Sequence, residues 1–256
     1  MSDVEDTKNM PAVSWGPLAA VVVTISVYFG GQFLGGVLVY AAIALFGWDS
    51  QRITAWFSNG TFGQFLLIAA VEVITFFLLY SFIRHKKANL GSIGINRPKL
   101  RHLGYALLGF GIYFPIFFVT LTALRLLIPT LDINQQQQIG FESATTRPEL
   151  LLVFISLVLL PPLIEEMLCR GFLFSGLKTK LPIIGAALVT SLVFAMPHLQ
   201  IGSGNPLLWA AFIDTFILSM VLVYLRVSSG SLWPSIGLHA VKNGIAFVAL
   251  FVVKLS

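Results

Sequence analysis

Six residues in the second half of this 256-residue chain have side chains suited to chemistry: Glu165, Glu166 and Arg170 in "EEMLCR", His198 in "FAMPH", and His239 with Asn243 in "HAVKN". All belong to runs that are otherwise apolar. A carboxylate beside an imidazole is a water-activating pair, because the two groups can take, share and return a proton. His239 and Asn243 are four apart, so on a helix they point the same way. Together they offer hydrogen-bond donors to the oxyanion formed when water attacks a carbonyl. One Glu and two His are also standard zinc ligands, which makes Glu165, His198 and His239 an alternative metal set. The HExxH spacing that would make that signal strong is absent.

Spacing separates the two glutamates. Glu166 and Arg170 share a helical face in the favourable order, and read as a structural ion pair. Glu165 is turned about 100° away and has no local partner, so it is the candidate for function. Taken singly, the others have plainer readings: His198 as an interfacial residue, and His239 or Asn243 as helix-to-helix hydrogen bonds worth ~0.6 kcal/mol. Lys242 points away from them, and the sequence pairs it with Asp214 as a structural contact. Glu72, isolated in "AAVEVITFF", is either proton-linked or a partner for Arg125.

The elements that hold these residues are membrane spans. The chain is 57% hydrophobic and 11% charged, against roughly a quarter charged in a soluble domain. At ~20 apolar residues per crossing, seven spans are predicted, near 16–46, 62–83, 103–128, 149–177, 182–199, 206–227 and 232–253. A break of the first at "GGQFLGG" would make eight. Pro115 should kink the third run, and Pro161 with Pro162 should break or kink the fourth. The expected fold is an all-α polytopic helix bundle, one membrane domain over 1–256 with the motifs in 148–253.

Arg84, Lys86, Lys87, Arg97, Lys99 and Arg101 fill the loop 84–101 with no acid, which places it in the cytoplasm. The polar loop 129–148 then lies outside, while Lys178, Lys180 and Arg226 fall inside. The acidic N-terminus and its long first apolar run exclude a secretory signal. A single cysteine, Cys169, excludes an internal disulfide. No basic face with interleaved aromatics suggests nucleic acid, and no internal repeat suggests a transporter. One tension remains in the span boundaries. They separate His198 and His239 by ~15 Å in depth, unless the fifth helix starts later than 182 or 199–206 dips back into the membrane.

"EEMLCR", "FAMPH" and "HAVKN" resemble, in order, the EExxxR, FxxxH and HxxxN motifs of the CPBP family, the CAAX-protease and bacteriocin-processing (Abi) intramembrane endopeptidases. The resemblance covers 165–243 and implies a bundle of about eight helices around a polar cavity. It implies that Glu165 and His198 activate water, that His239 and Asn243 stabilise the oxyanion, and that Glu166 and Arg170 support the site. It implies no resident metal, although zinc on Glu165, His198 and His239 is the older view of such enzymes. The partners it implies are the lipid bilayer and a membrane-anchored peptide or protein substrate, here in a bacterial plasma membrane. Two other readings compete: a non-catalytic scaffold or immunity-type protein of the same fold, and a proton-coupled transporter using Glu72, Glu165 and the histidines.

Overall fold

The computed structural model describes residues 11–132, 135, 137, 139–201 and 206–253, and these are helical with connecting turns and no strand. We number the helices α1 (Pro17–Ala44), α2 (Ser50–Asn59), α3 (Thr61–His85), α4 (Leu100–Leu127), α5 (Arg147–Leu177), α6 (Ile183–Leu199), α7 (Trp209–Ser229) and α8 (Trp233–Val252). All but α2 and α6 are long and apolar enough to cross a membrane. The seven expected runs are therefore all helical, but only six qualify as spans among the described residues, because α6 is too short. The ten-residue α2, capped by Asp49 accepting from the Arg52 amide at 2.8 Å, was not expected.

The first run does not break. Its glycines instead form a packing face, since a Cβ on Gly31 would lie 2.0 Å from the Thr75 hydroxyl and one on Gly35 would lie 2.9 Å from the Val71 Cα. Small residues four apart let two membrane helices approach closely, so α1 lies along α3. Outward-facing Phe33 is 69% exposed and Val119 on α4 is 68% exposed, as side chains bathed in lipid would be. Pro115 sits inside α4, which stays helical throughout.

The prolines at 161 and 162 also fail to break their helix. α5 begins at a capping box, where Thr146 donates its amide to Glu149 Oε2 at 2.9 Å. It then runs on through two wide π-helical segments, Ile155–Leu159 and Met167–Leu173. The first widens the helix just ahead of the prolines, and the second carries Arg170. Such π segments are frequent at functional sites. α5 is the centre of the bundle, touching α1, α3, α6, α7 and α8. Every residue from Glu166 to Leu177 is buried.

One end of the bundle gathers the basic residues. There the loop after α3 is fastened to the α7–α8 turn: Leu232 donates to the Gly94 carbonyl at 3.0 Å, and Trp233 Nε1 donates to the Asn96 carbonyl at 2.6 Å. Gly94 has φ +96°, and a Cβ there would strike the guanidinium of the fully buried Arg226 at 2.6 Å. Lys178, just past α5, lies near enough to Arg226 that burial and this like charge push its ammonium below the usual lysine range. The N-terminal segment joins the same end, with Ser14 Oγ donating to the Lys86 carbonyl at 3.2 Å. We call this the basic end. α5 starts, and α8 finishes, at the other.

Candidate active site

Glu166 and Arg170 make the expected pair. Arg170 Nη1 donates to Glu166 Oε1 at 2.7 Å, and neither side chain is exposed. A fully buried ion pair survives only when both charges are well placed, since removing either strands the other. Arg170 gains a second contact, its Cζ lying 4.0 Å over the Phe194 ring. The same Glu166 Oε1 receives His239 Nδ1 at 3.0 Å. The carboxylate is an acceptor only, so Nδ1 carries the proton and a neutral His239 presents a bare Nε2.

That Nε2 faces Glu165, whose Oε2 is 3.9 Å away. Glu165 is the other side of the helical argument: its side chain is 31% exposed whereas that of Glu166 is 0%. It projects into a cavity of about 820 Å³ whose wall also includes His198, His239, Lys242 and Asn243. Arg170–Glu166–His239 is thus a chain of hydrogen bonds that fixes one imidazole in tautomer and direction against a partly accessible carboxylate.

His198 reaches the same cavity from α6. The helix ends in a short 3₁₀ turn, Met196–Leu199, and Gln200 leaves it in the left-handed region at φ 52°. Phe194 is the hinge of this arrangement. Its ring lies 5.7 Å from the rings of both His198 and His239, edge-on to the latter. His198 and His239 nonetheless line one cavity, with α6 beginning at Ile183, one residue past the expected start. The expectation of a re-entrant segment at 199–206 falls largely on 202–205, outside the described residues. The His198 ring sits in the cavity wall and interacts with the Phe194 backbone one turn earlier.

Asn243 is brought to the cavity wall, and it does more than line it. Its Nδ2 donates to the Leu157 carbonyl at 2.9 Å. In a helix that carbonyl would bond to the amide of residue 161, or of 162 in a π turn, and both are prolines without an N–H. The side chain supplies the missing donor.

Lys242 pairs with Asp214 at 3.0 Å, as expected, and Tyr113 OH also donates to Asp214. What the sequence did not show is that Lys242 of this pair forms part of the cavity wall. Arg125 is exposed and makes no ion pair with Glu72. Glu72 instead acts electrostatically on Glu165 from α3. The sequence reading also missed α1. A second chamber of about 500 Å³, lined by Tyr28, Gln32, Cys169 and Met196, meets the first at Glu165, Phe194 and His198. Tyr28 and Gln32 lie in the first half of the chain, where no motif pointed to them. Among the described residues no three His, Cys, Asp or Glu side chains are grouped to hold a metal ion.

A scan against protein-family models matches residues 147–245, described as type II CAAX prenyl endopeptidase Rce1-like. The matched region holds all three motifs and is well under half of the chain. No curated protein and no solved structure matches the chain.

Proposed function

We propose that the chain, whose residues 147–245 match the type II CAAX prenyl endopeptidase Rce1-like family model, is an intramembrane endopeptidase of the CPBP type. It hydrolyses a peptide bond of a membrane-associated protein or peptide. The observation that carries this is the convergence of Glu165, His198, His239 and Asn243 on one cavity inside a bundle of apolar helices.

Glu165 and His198 activate water. The proton of the attacking water passes to the Glu165 carboxylate while the hydroxide adds to the carbonyl carbon. The tetrahedral oxyanion is stabilised by Asn243, and by His239 in its protonated form, when Nε2 becomes a donor. Glu166 holds His239 in place and supplies the negative charge facing it, and Arg170 fixes Glu166 from the other side. On collapse the C–N bond breaks, and the proton goes from Glu165 or His198 to the leaving amine. No step is routed through a metal. Electrostatic groups already in place at the site of charge development commonly supply the largest part of such catalysis. The second chamber, reaching the bilayer between α1 and α6, admits the apolar part of the substrate sideways from lipid.

The test is cleavage of membrane-anchored peptides by the chain in lipid nanodiscs, read by mass spectrometry with and without chelator. Wild type should cleave and keep cleaving in chelator, while Glu165→Gln falls by a factor of ~10²–10⁴, the usual worth of a general base. Equal cleavage by both would remove Glu165 from the mechanism. Loss in chelator with recovery in zinc would reassign Glu165, His198 and His239 as ligands.

A further inference from the structure

The cavity has a direction. From His239 its wall follows α8 to Phe251, twelve residues on, about 18 Å along the helix. It continues to residues 139–145, in the loop between α4 and α5, where Glu142 and Thr145 are exposed. That mouth lies at the end of the bundle opposite the basic one.

Toward the basic end the site is closed. Below His239 the packing is Ser235, Leu232, Leu222 and Leu225, each 0% exposed, and the unbroken buried stretch of α5 that begins at Glu166. Trp15 seals the corner beyond, donating its Nε1 to the Phe172 carbonyl at 3.1 Å and stacking on the Phe172 ring at 4.8 Å. Of the two ends of the bundle, the cavity that holds His239 and Asn243 extends from Glu165 only to the one away from the basic loops, among the described residues.

The same axis carries the charge asymmetry. Arg84, Lys86, Lys87, Arg97, Lys99, Arg101, Lys178 and Lys180 all belong to the closed end. At the open end Asp49, Glu142 and Glu149 accompany Arg52, Arg125 and Arg147, with no basic excess among these residues. Short loops rich in Lys and Arg stay in the cytoplasm. The closed end is then cytoplasmic, and the open end faces away from it.

We infer that the site is served from the non-cytoplasmic side. Its substrate is a membrane-anchored polypeptide whose scissile bond is exposed beyond, or within, the outer leaflet, and its water comes from that side. This rests on the proteolytic reading, and it selects exported or lipid-tethered outer-leaflet chains over proteins anchored to the cytoplasmic leaflet.

Substituted cysteines test it, in a Cys169→Ala background, with a membrane-impermeant maleimide applied to sealed right-side-out and inside-out vesicles. Glu142→Cys at the mouth and Thr215→Cys in the cavity wall should label at least tenfold faster in right-side-out vesicles. Arg97→Cys in the basic loop should show the reverse. Leu218→Cys, also on the cavity wall and buried, is the second deep position. Labelling of the deep positions from the side that labels Arg97→Cys overturns the inference. So does labelling of neither deep position from the outer side, or labelling of Glu142→Cys and Arg97→Cys from the same side. Blocking Thr215→Cys from outside should abolish cleavage in sealed vesicles, and full activity of the blocked protein would overturn the assigned water route. Labelling requires no turnover, so an inactive protein with the expected pattern would count against the protease reading and leave the sidedness standing.

Discussion

The Asn243 side-chain amide donates to the Leu157 backbone carbonyl at 2.9 Å, joining α8 to α5 at the point where Pro161 and Pro162 withhold their amides. A residue of the HxxxN motif is thus part of the scaffold as well as the cavity wall. Its two roles can be separated. Asn243→Ala strands a carbonyl and should cost about 1–3 kcal/mol of stability. Pro161→Ala restores an N–H within reach of Leu157. The double variant should therefore be more stable than the sum of the singles predicts, measured by thermal unfolding in detergent. Its cleavage should stay low, because the oxyanion donor is still missing.

Glu166 and Arg170 are each other's ion-pair partner, both fully buried. Arg170→Ala leaves a carboxylate with no counter-ion at a site that is 0% exposed, a loss on the order of 3–5 kcal/mol. Glu166→Gln also strands the buried Arg170 cation, but its Oε1 still accepts from Arg170 Nη1, so its loss of stability should be smaller. Its cleavage rate should still fall, because a neutral amide does not stabilise an imidazolium. Parallel unfolding and cleavage curves for the two variants check the distinction.

The Asp214–Lys242 pair predicts strong coupling. Asp214→Asn and Lys242→Met each leave one partly buried charge without its partner. The double variant removes both, and should be more stable than additivity allows by about 0.5–3 kcal/mol. Unfolding midpoints of all three in nanodiscs give the coupling directly. Additive losses would show that the 3.0 Å contact contributes nothing of its own.

The glycine face of α1 predicts a contrast one residue wide. A Cβ at Gly35 meets the Val71 backbone, whereas a Cβ at Gly36 meets nothing within 4 Å. Gly36→Ala should be tolerated, while Gly35→Ala should push α1 off α3 and lower the unfolding temperature. Because α1 also lines the second chamber with Tyr28 and Gln32, Gly35→Ala should impair cleavage as well.

Much of this was legible without coordinates. Apolar runs set by bilayer thickness gave seven helices, and the four-residue spacing of Glu166 and Arg170 gave their ion pair. The same period left Glu165 unpaired, and it is the more exposed of the two carboxylates. These are local consequences of helical geometry and of the cost of charge in lipid. Where several local rules compete, the reading failed. The glycines of "GGQFLGG" permit either a break or a close helix pair, and only the presence of Thr75 and Val71 opposite Gly31 and Gly35 selects packing. Proline at 161 and 162 predicts a break or a kink, and it is the donor from α8, together with a π turn, that keeps the helix unbroken.

The sequence by itself determined which residues have the right chemistry, because side-chain type and periodicity are written in it. The tertiary structure decided what each one faces. It set His239 on Glu166 at 3.0 Å with Nε2 toward Glu165, put Phe194 between the two histidines, and brought α1 to the cavity. It also closed the basic end and left the other open. Those are relations between helices distant in sequence, fixed by packing around α5, and no spacing within a single run encodes them.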